Sequence, residues 1–275
     1  MSGMTLLLAY TVALFSISLV GSWLPRQLVM THTRTQMVLS FVSGLMLGVA
    51  LLHLIPHSFV AVGEIDVVMG WTLAGLVFML LLLRLLHFHQ HDFGDAADQC
   101  AMESVDAHDH AHAHDHAHPP ERALGALGLM CGLGVHTLID GVALGAVLVA
   151  SPLVPMAGIG VFLAILLHKP LDSLSIETVM ATGGWSSRAR WLAAVIFALI
   201  CPLTAVVFYL GMAPWVSALW LPAILAFAAG VFICIALGDL LPEVQFHSHD
   251  RARLTLLFMV GVGLAVAVVW LEVGH

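Results

Sequence analysis

Charge is what this sequence has least of. Asp, Glu, Lys and Arg together make up 9% of its 275 residues, where a soluble domain carries about a quarter. With 60% hydrophobic residues and a mean hydropathy of +1.01, that scarcity excludes an ordinary soluble domain. Cysteine is also sparse. Cys100, Cys131, Cys201 and Cys234 show no CxxC spacing and three lie within apolar segments, so they read as small packing residues and say little about redox compartment. No GxxxxGK[ST] segment offers an ATP site, and no HExxH offers a zinc hydrolase centre. The net charge of −8 gives no footing to a nucleic-acid partner, and none is expected. A removable leader is not expected either. Met1 to Leu24 is apolar, but no basic region precedes it, and its first arginine, Arg26, follows the apolar run. An uncleaved signal anchor would look the same, and either keeps the segment in the membrane.

What the chain has instead is long apolar runs. Eight are long enough to cross about 30 Å of hydrocarbon as helices: 4–24, 36–60, 67–88, 122–149, 154–181, 190–212, 217–243 and 253–273. The expected fold class is an all-α polytopic membrane protein. Its parts are helices 1–3 in 1–88, a cytoplasmic His-rich loop in 89–121, and helices 4–8 in 122–275. The fifth and seventh runs are weakest by hydropathy, since they hold Lys169, Asp172 and Glu177, and Asp239 and Glu243. With eight spans, Arg26, Arg34, Arg84, Arg122, Arg188, Arg190, Arg251 and Arg253 all fall on one side, while the opposite connectors hold Glu64 and Asp66 or no charge. Positive connectors stay cytoplasmic, so both termini are expected outside, in the periplasm for a bacterial inner membrane. Trp185, Trp191, Trp215, Trp220 and Trp270 fall near span ends, as interfacial anchors do.

The one long connector, from about His87 to Pro120, contains HFHQHDFGDAADQC and HDHAHAHDHAHPP. It has too little apolar surface to fold and is expected to be disordered. Its imidazoles, beside Asp109 and Asp115, suit loose multi-site binding of Zn, Ni or Cu; a plain solvated linker is compatible with that. Such a tract can collect metal without forming its path.

Ionisable groups inside the runs carry the functional signal, because each costs about 2.5–3.5 kcal/mol at mid-membrane even on the lenient insertion scale. In VHTLIDGVALG, His136 and Asp140 are four apart and share a helix face, with Gly134, Gly141 and Gly145 beside them to allow close helix approach. In LLHKPLDSLSIE, His168 and Asp172 repeat that spacing. Pro170 there is expected to loosen the turn and free the Leu166 carbonyl. Either pair alone fits a structural hydrogen-bonded couple. Two facing pairs supply two nitrogen and two carboxylate donors, a set suited to Zn²⁺, Fe²⁺, Co²⁺ or Mn²⁺ more than to Mg²⁺ or Ca²⁺.

Further candidates flank them. His53 and His57 in LLHLIPHSF lie near the outer end of the second run, as ligands or relays or as helix-end hydrogen-bonding groups. Asp239 and Glu243 in GDLLPEV lie towards the cytoplasmic end of the seventh; Asp239 is the better ligand, and Glu243 an exit relay or gate contact. His247, His249 and Asp250 follow, either handing metal on or serving as loop residues. Lys169 has two readings: it fills what would otherwise be a second metal position, or it pairs with Glu177 or Asp239.

This constellation resembles the ZIP (ZRT/IRT-like) family of divalent metal permeases. HTLIDG matches the family's fourth-helix pattern at His136, Asp140 and Gly141, with Thr137 where Asn is common. His168, Lys169 and Asp172 fit the lysine-bearing form of the fifth-helix pattern, which looks like a single-metal arrangement. HLIPH and DLLPE fit the second- and seventh-helix patterns, with His57 in place of the usual carboxylate. The resemblance implies a 3+2+3 helix arrangement with inverted repeats, an elevator-like movement, a homodimer, and uptake chiefly of Zn²⁺, with Fe²⁺ or Mn²⁺ besides. The metal is thus expected as transported substrate, with no cofactor and no enzymatic activity, and the bilayer as the other partner. Two alternatives stay open on the residues: an exporter of nickel or cobalt loaded by the His-rich loop, and a membrane-embedded metalloenzyme.

Overall fold

The computed structural model describes residues 3–24, 32–85, 119–150, 158–212, 220–240 and 251–273. Among these, eight helices are long and apolar enough to cross a membrane. We label them α1 (Gly3–Trp23), α2 (His32–Val49, continued through a π-helical turn Ala50–Leu54 into Ile55–Val62), α3 (Ile65–Leu85), α4 (Pro119–Ala150), α5 (Gly158–Thr182), α6 (Ser187–Val207, then a π turn Phe208–Met212), α7 (Trp220–Ile235, then a π turn Ala236–Leu240) and α8 (Arg251–Val273). There is no strand among the described residues. This is the expected polytopic all-α membrane protein, with span limits shifted by a few residues. The His-rich stretch lies outside the described residues.

Burial sorts the helices into inner and outer. The spans of α2, α4 and α7 are 61%, 67% and 67% buried, whereas those of α3 and α8 are each 22% buried. The outer faces carry exposed Leu8 and Val12 on α1, Leu80 and Leu81 on α3, and Leu256 and Met259 on α8. A soluble protein would not expose so much apolar surface, whereas a membrane-spanning one can. Exposed Trp191, Trp220 and Trp270 lie at or near helix ends, as interfacial anchors do.

The packing repeats itself. α2 lies along α8 and α3 along α7, while α1 packs on α5 and α6 packs on α4. A constant offset of 186 positions relates the two halves. It carries Ala50 to Ala236, so the π turns of α2 and α7 correspond, and Pro56 to Pro242. It also carries Gly44 to Gly230 and Gly75 to Gly261. Each of these glycines lies against a carbonyl of the facing helix: Gly44 against Phe258, Gly261 against Phe41, Gly75 against Phe227 and Gly230 against Thr72. Those four carbonyls obey the same offset. Corresponding helices are five spans apart, so they cross in opposite directions. The repeat is therefore inverted, with α1–α3 and α6–α8 flanking α4 and α5.

Backbone polar groups freed at the irregular turns must be met inside the protein. The Ser43 hydroxyl donates to the Ala236 carbonyl at 2.8 Å, where the π turn of α7 begins. Ser40 and Ser58 donate to the carbonyls of Leu254 and Pro222, and the Ser18 and Ser173 hydroxyls join α1 to α5 at 2.7 Å. Two details differ from expectation. α5 runs as an unbroken α-helix through Pro170, and the wider turns instead precede Pro56 and Pro242. Gly141 and Gly145 do admit α6, with a Cβ at 141 falling 2.6 Å from the Cys201 carbonyl oxygen, but Gly134 faces open space.

The glycine contacts give a direct test. In Gly230→Leu a side chain would collide with the Thr72 backbone, and overpacking of this kind costs about 1–3 kcal/mol or more. We expect a lowered thermal midpoint in detergent for Gly230→Leu. Gly70→Leu, where an added Cβ meets nothing within 4 Å, should change stability by less than about 0.5 kcal/mol.

Candidate metal site

Helical spacing places His136 and Asp140 on one face of α4, and His168 and Asp172 on one face of α5. The two faces meet. The four side chains each offer one ligand atom, and these atoms all lie within 4.8 Å of one another. An ion with bonds of about 2.0–2.2 Å holds its ligands up to about 4.4 Å apart, so shifts of a few tenths of an ångström would close the group on one cation. His136, Asp140 and His168 are buried, and Asp172 is 15% exposed, which makes it the member nearest open space.

The hydrogen bonding aims the donors. His168 Nδ1–H donates to the Ala164 carbonyl at 2.8 Å. A carbonyl oxygen only accepts, so in the neutral ring Nε2 presents its lone pair to Asp140 Oδ2, 3.2 Å away. Two lone pairs face each other there, an arrangement that calls for a cation between them. Such a second contact through Nδ1 is the usual way a ligating imidazole is oriented. Neither ring nitrogen of His136 has a hydrogen-bond partner; Nε2 is 3.5 Å from Asp140 Oδ2 and 4.0 Å from Asp172 Oδ2. Asp140 Oδ1 and Asp172 Oδ2 likewise lack one. Buried polar atoms are normally satisfied, and a cluster of unsatisfied donor atoms around one point is what a cation site looks like.

Lys169 completes the charge arrangement. It is one of the largest fully buried side chains among the described residues. Its Nζ donates to Thr137 Oγ1 at 2.7 Å and to Asp140 Oδ2 at 3.2 Å, lies 3.7 Å from Asp172 Oδ2, and sits 4.9 Å from the centroid of the Phe197 ring on α6. Lys169 therefore pairs with the cluster's own carboxylates and not with Glu177. Eight positions along one helix are about 12 Å, whereas Asp140 on the neighbouring helix is in reach. Glu177 is 3.6 Å from Arg190 of α6 instead. Thr137 carries a role that sequence spacing alone did not assign: its hydroxyl fixes the ammonium between the two helices.

Among the described residues, His53 and His57 are not part of this cluster. His53 is fully buried in the π turn of α2; its Nε2–H donates to the Ala265 carbonyl of α8 at 3.0 Å, and its ring lies against Gly160 of α5. His57, one turn on, donates from Nδ1 to the His53 carbonyl. Asp239 falls in the π turn of α7, at the place that corresponds to His53, with its side chain outside the described part; Glu243, His247, His249 and Asp250 lie wholly outside the described residues.

The fold and its centre define a class: a multi-pass helical membrane protein with two His–Asp pairs and one lysine buried where two inner helices meet. The family model of the ZIP zinc transporter matches residues 1–270, and the chain belongs to that family. Zinc transporter ZIP9-B of Xenopus laevis is 29% identical over 221 residues, which cover 73% of this chain and 63% of that protein. Zinc transporter ZIP9 of Xenopus tropicalis is 29% identical over 187 residues, 64% and 52% of the two chains. Zinc transporter 5 of Oryza sativa subsp. japonica is 27% identical over 278 residues, 85% and 76% of the two. The chain thus spans about half to just under two thirds of the length of these amphibian relatives.

Thr137→Val keeps the shape and removes the hydroxyl that accepts from Lys169. Leaving a buried donor short of a partner costs about 1–3 kcal/mol, so we expect a lowered thermal midpoint in detergent. An unchanged midpoint would show that the Thr137 contact holds nothing together.

Proposed function

We propose that this protein carries a divalent transition-metal cation across the bilayer into the cytoplasm, with Zn²⁺ as the chief substrate and Fe²⁺ or Mn²⁺ as others. The observation that carries the reading is the convergence of His136, Asp140, His168 and Asp172 within 4.8 Å, on helices that lie inside an apolar bundle. Two imidazoles and two carboxylates suit borderline metals. The carboxylates also keep binding reversible, which a closed thiolate site of the structural-zinc kind would not. Lys169 fills the position beside the donors with an ammonium, so the site takes one metal ion at a time.

In this reading the cation enters from outside past His57 and His53, exchanges its waters for the four donors, and leaves past Asp239 and Glu243. His53 holds the Ala265 carbonyl, so its part is to position the outer end of α2, while His57 meets the ion first. The arginines at the ends of α2, α3, α6 and α8 support both termini lying outside, by the rule that basic connectors stay cytoplasmic. The inside-negative potential then contributes about 4.6 kcal/mol per divalent ion per 100 mV to uptake. The inverted repeat supports alternating access, since two halves of opposite direction offer similar outward- and inward-facing packings.

Radiozinc flux into proteoliposomes tests the reading. We expect saturable uptake inhibited by competing Fe²⁺ or Mn²⁺, with His136→Ala and Asp172→Ala each reduced at least about tenfold, the equivalent of 1.4 kcal/mol of lost binding. Undiminished flux in both variants would refute the site. Deleting the tract from His91 to His118 should lower the number of metal ions bound at equilibrium while leaving flux within about twofold; a larger loss of flux would place the tract on the path.

A further inference from the structure

We infer that Lys169 is a built-in counter-charge that lets the protein return without metal, so that this chain performs net transport and not only one-for-one exchange. The inference rests on the transport reading above and asks what else the charge arrangement determines. Asp140 and Asp172 bring two negative charges to the centre. Lys169 lies within ion-pair distance of both, 3.2 and 3.7 Å from their Oδ2 atoms. The imidazoles of His136 and His168 ligate as neutral groups. Glu177 is matched by Arg190 at 3.6 Å, so among the described residues that pair adds no net charge nearby. With both imidazoles neutral, the centre carries −1 without a divalent ion and +1 with one.

The cost of holding net charge in a poorly polarisable interior scales with its square. With Lys169 present, the loaded and unloaded centres bear equal penalties, so both can change face. Without it the values become 0 loaded and −2 unloaded. The loaded form would then move freely, and the unloaded form would face a fourfold greater charging cost than the present centre does. A carrier of that kind turns over only when it holds metal in both directions, which is exchange.

The geometry fits a counter-charge better than a spare ligand position. The ammonium bridges a carboxylate from α4 and one from α5, and Thr137 Oγ1 accepts from it at 2.7 Å. The Phe197 ring covers it at 4.9 Å, which favours a cation there. Lysine is otherwise absent from this chain. Its one occurrence sits where its charge alters the sign balance of the transported unit.

The test compares two radiozinc assays on the full chain in proteoliposomes: uptake into zinc-free vesicles, which needs the unloaded return, and uptake into vesicles preloaded with unlabelled Zn²⁺, which does not. The wild-type protein should show both. Lys169→Gln should lose net uptake by about tenfold or more beyond whatever it loses in exchange, the direction set by the charge-squared argument. Lys169→Arg keeps the charge and should keep the wild-type ratio of net uptake to exchange. Equal losses in the two assays for Lys169→Gln, or no loss in either, would overturn the inference, as would Lys169→Arg behaving like Lys169→Gln. If the Gln variant is not recovered folded, the Arg variant still decides: net uptake lost with exchange kept refutes the role of charge. A wild-type protein that moves zinc in neither assay would defeat the transport reading itself.

Discussion

The contact between α4 and α5 depends on one electrostatic arrangement, the Asp140–Lys169 pair buried among two imidazoles and a second carboxylate. An unpaired charge at this depth would cost several kcal/mol. The pair is tolerable because Lys169 is multiply engaged, by Thr137, Asp140 and Asp172. The remaining donor atoms of His136, Asp140 and Asp172 stay without hydrogen bonds. The centre is thus satisfied enough to fold and unsatisfied enough to take up a cation. That balance is the physical core of the proposed function.

The surrounding helices keep that centre in place. Gly141 and Gly145 let α6 approach α4 closely, which brings Phe197 over the ammonium and puts Cys201 and Thr204 against Gly141. Gly21 of α1 lies against the backbone of Pro170, so α1 closes on α5 beside the site. Inner α2 with outer α8, and inner α7 with outer α3, are joined by reciprocal glycine–carbonyl contacts. In a bilayer, where lipid is as apolar as leucine, such close backbone packing supplies association that the hydrophobic effect does not. The π turns of α2 and α7 occur at corresponding places in the two halves, each ending two residues before a proline in the sequence. Proline lacks an N–H and so removes one ladder bond; the turn that widens lies just upstream of it.

Much of the candidate site was legible in the sequence because helix geometry is local. Four-residue spacing puts His136 with Asp140 and His168 with Asp172 on common faces wherever the helices go. The same locality misled at Pro170, where the ring obstructs a carbonyl, yet the helix packed between α1 and α4 stays regular. It also left Lys169 open between partners, because the deciding groups, Thr137 and Asp140, lie on another helix. The 186-position repeat was present in the letters, as Phe41, Gly44 and Ala50 against Phe227, Gly230 and Ala236. Apolar substitution elsewhere hides it, and only the matched glycine contacts make the register plain.

By itself, then, the sequence determined that the chain spans a membrane eight times, since its scarcity of charge leaves no soluble fold and its apolar runs fit the bilayer's thickness. It also determined which side chains could bind metal, because ionisable groups survive in such runs only for a reason. Tertiary structure decided which of them meet. His53 went to the Ala265 carbonyl, Glu177 to Arg190, and Lys169 to the two aspartates. Those choices depend on distances between helices, and no pattern within one helix encodes them.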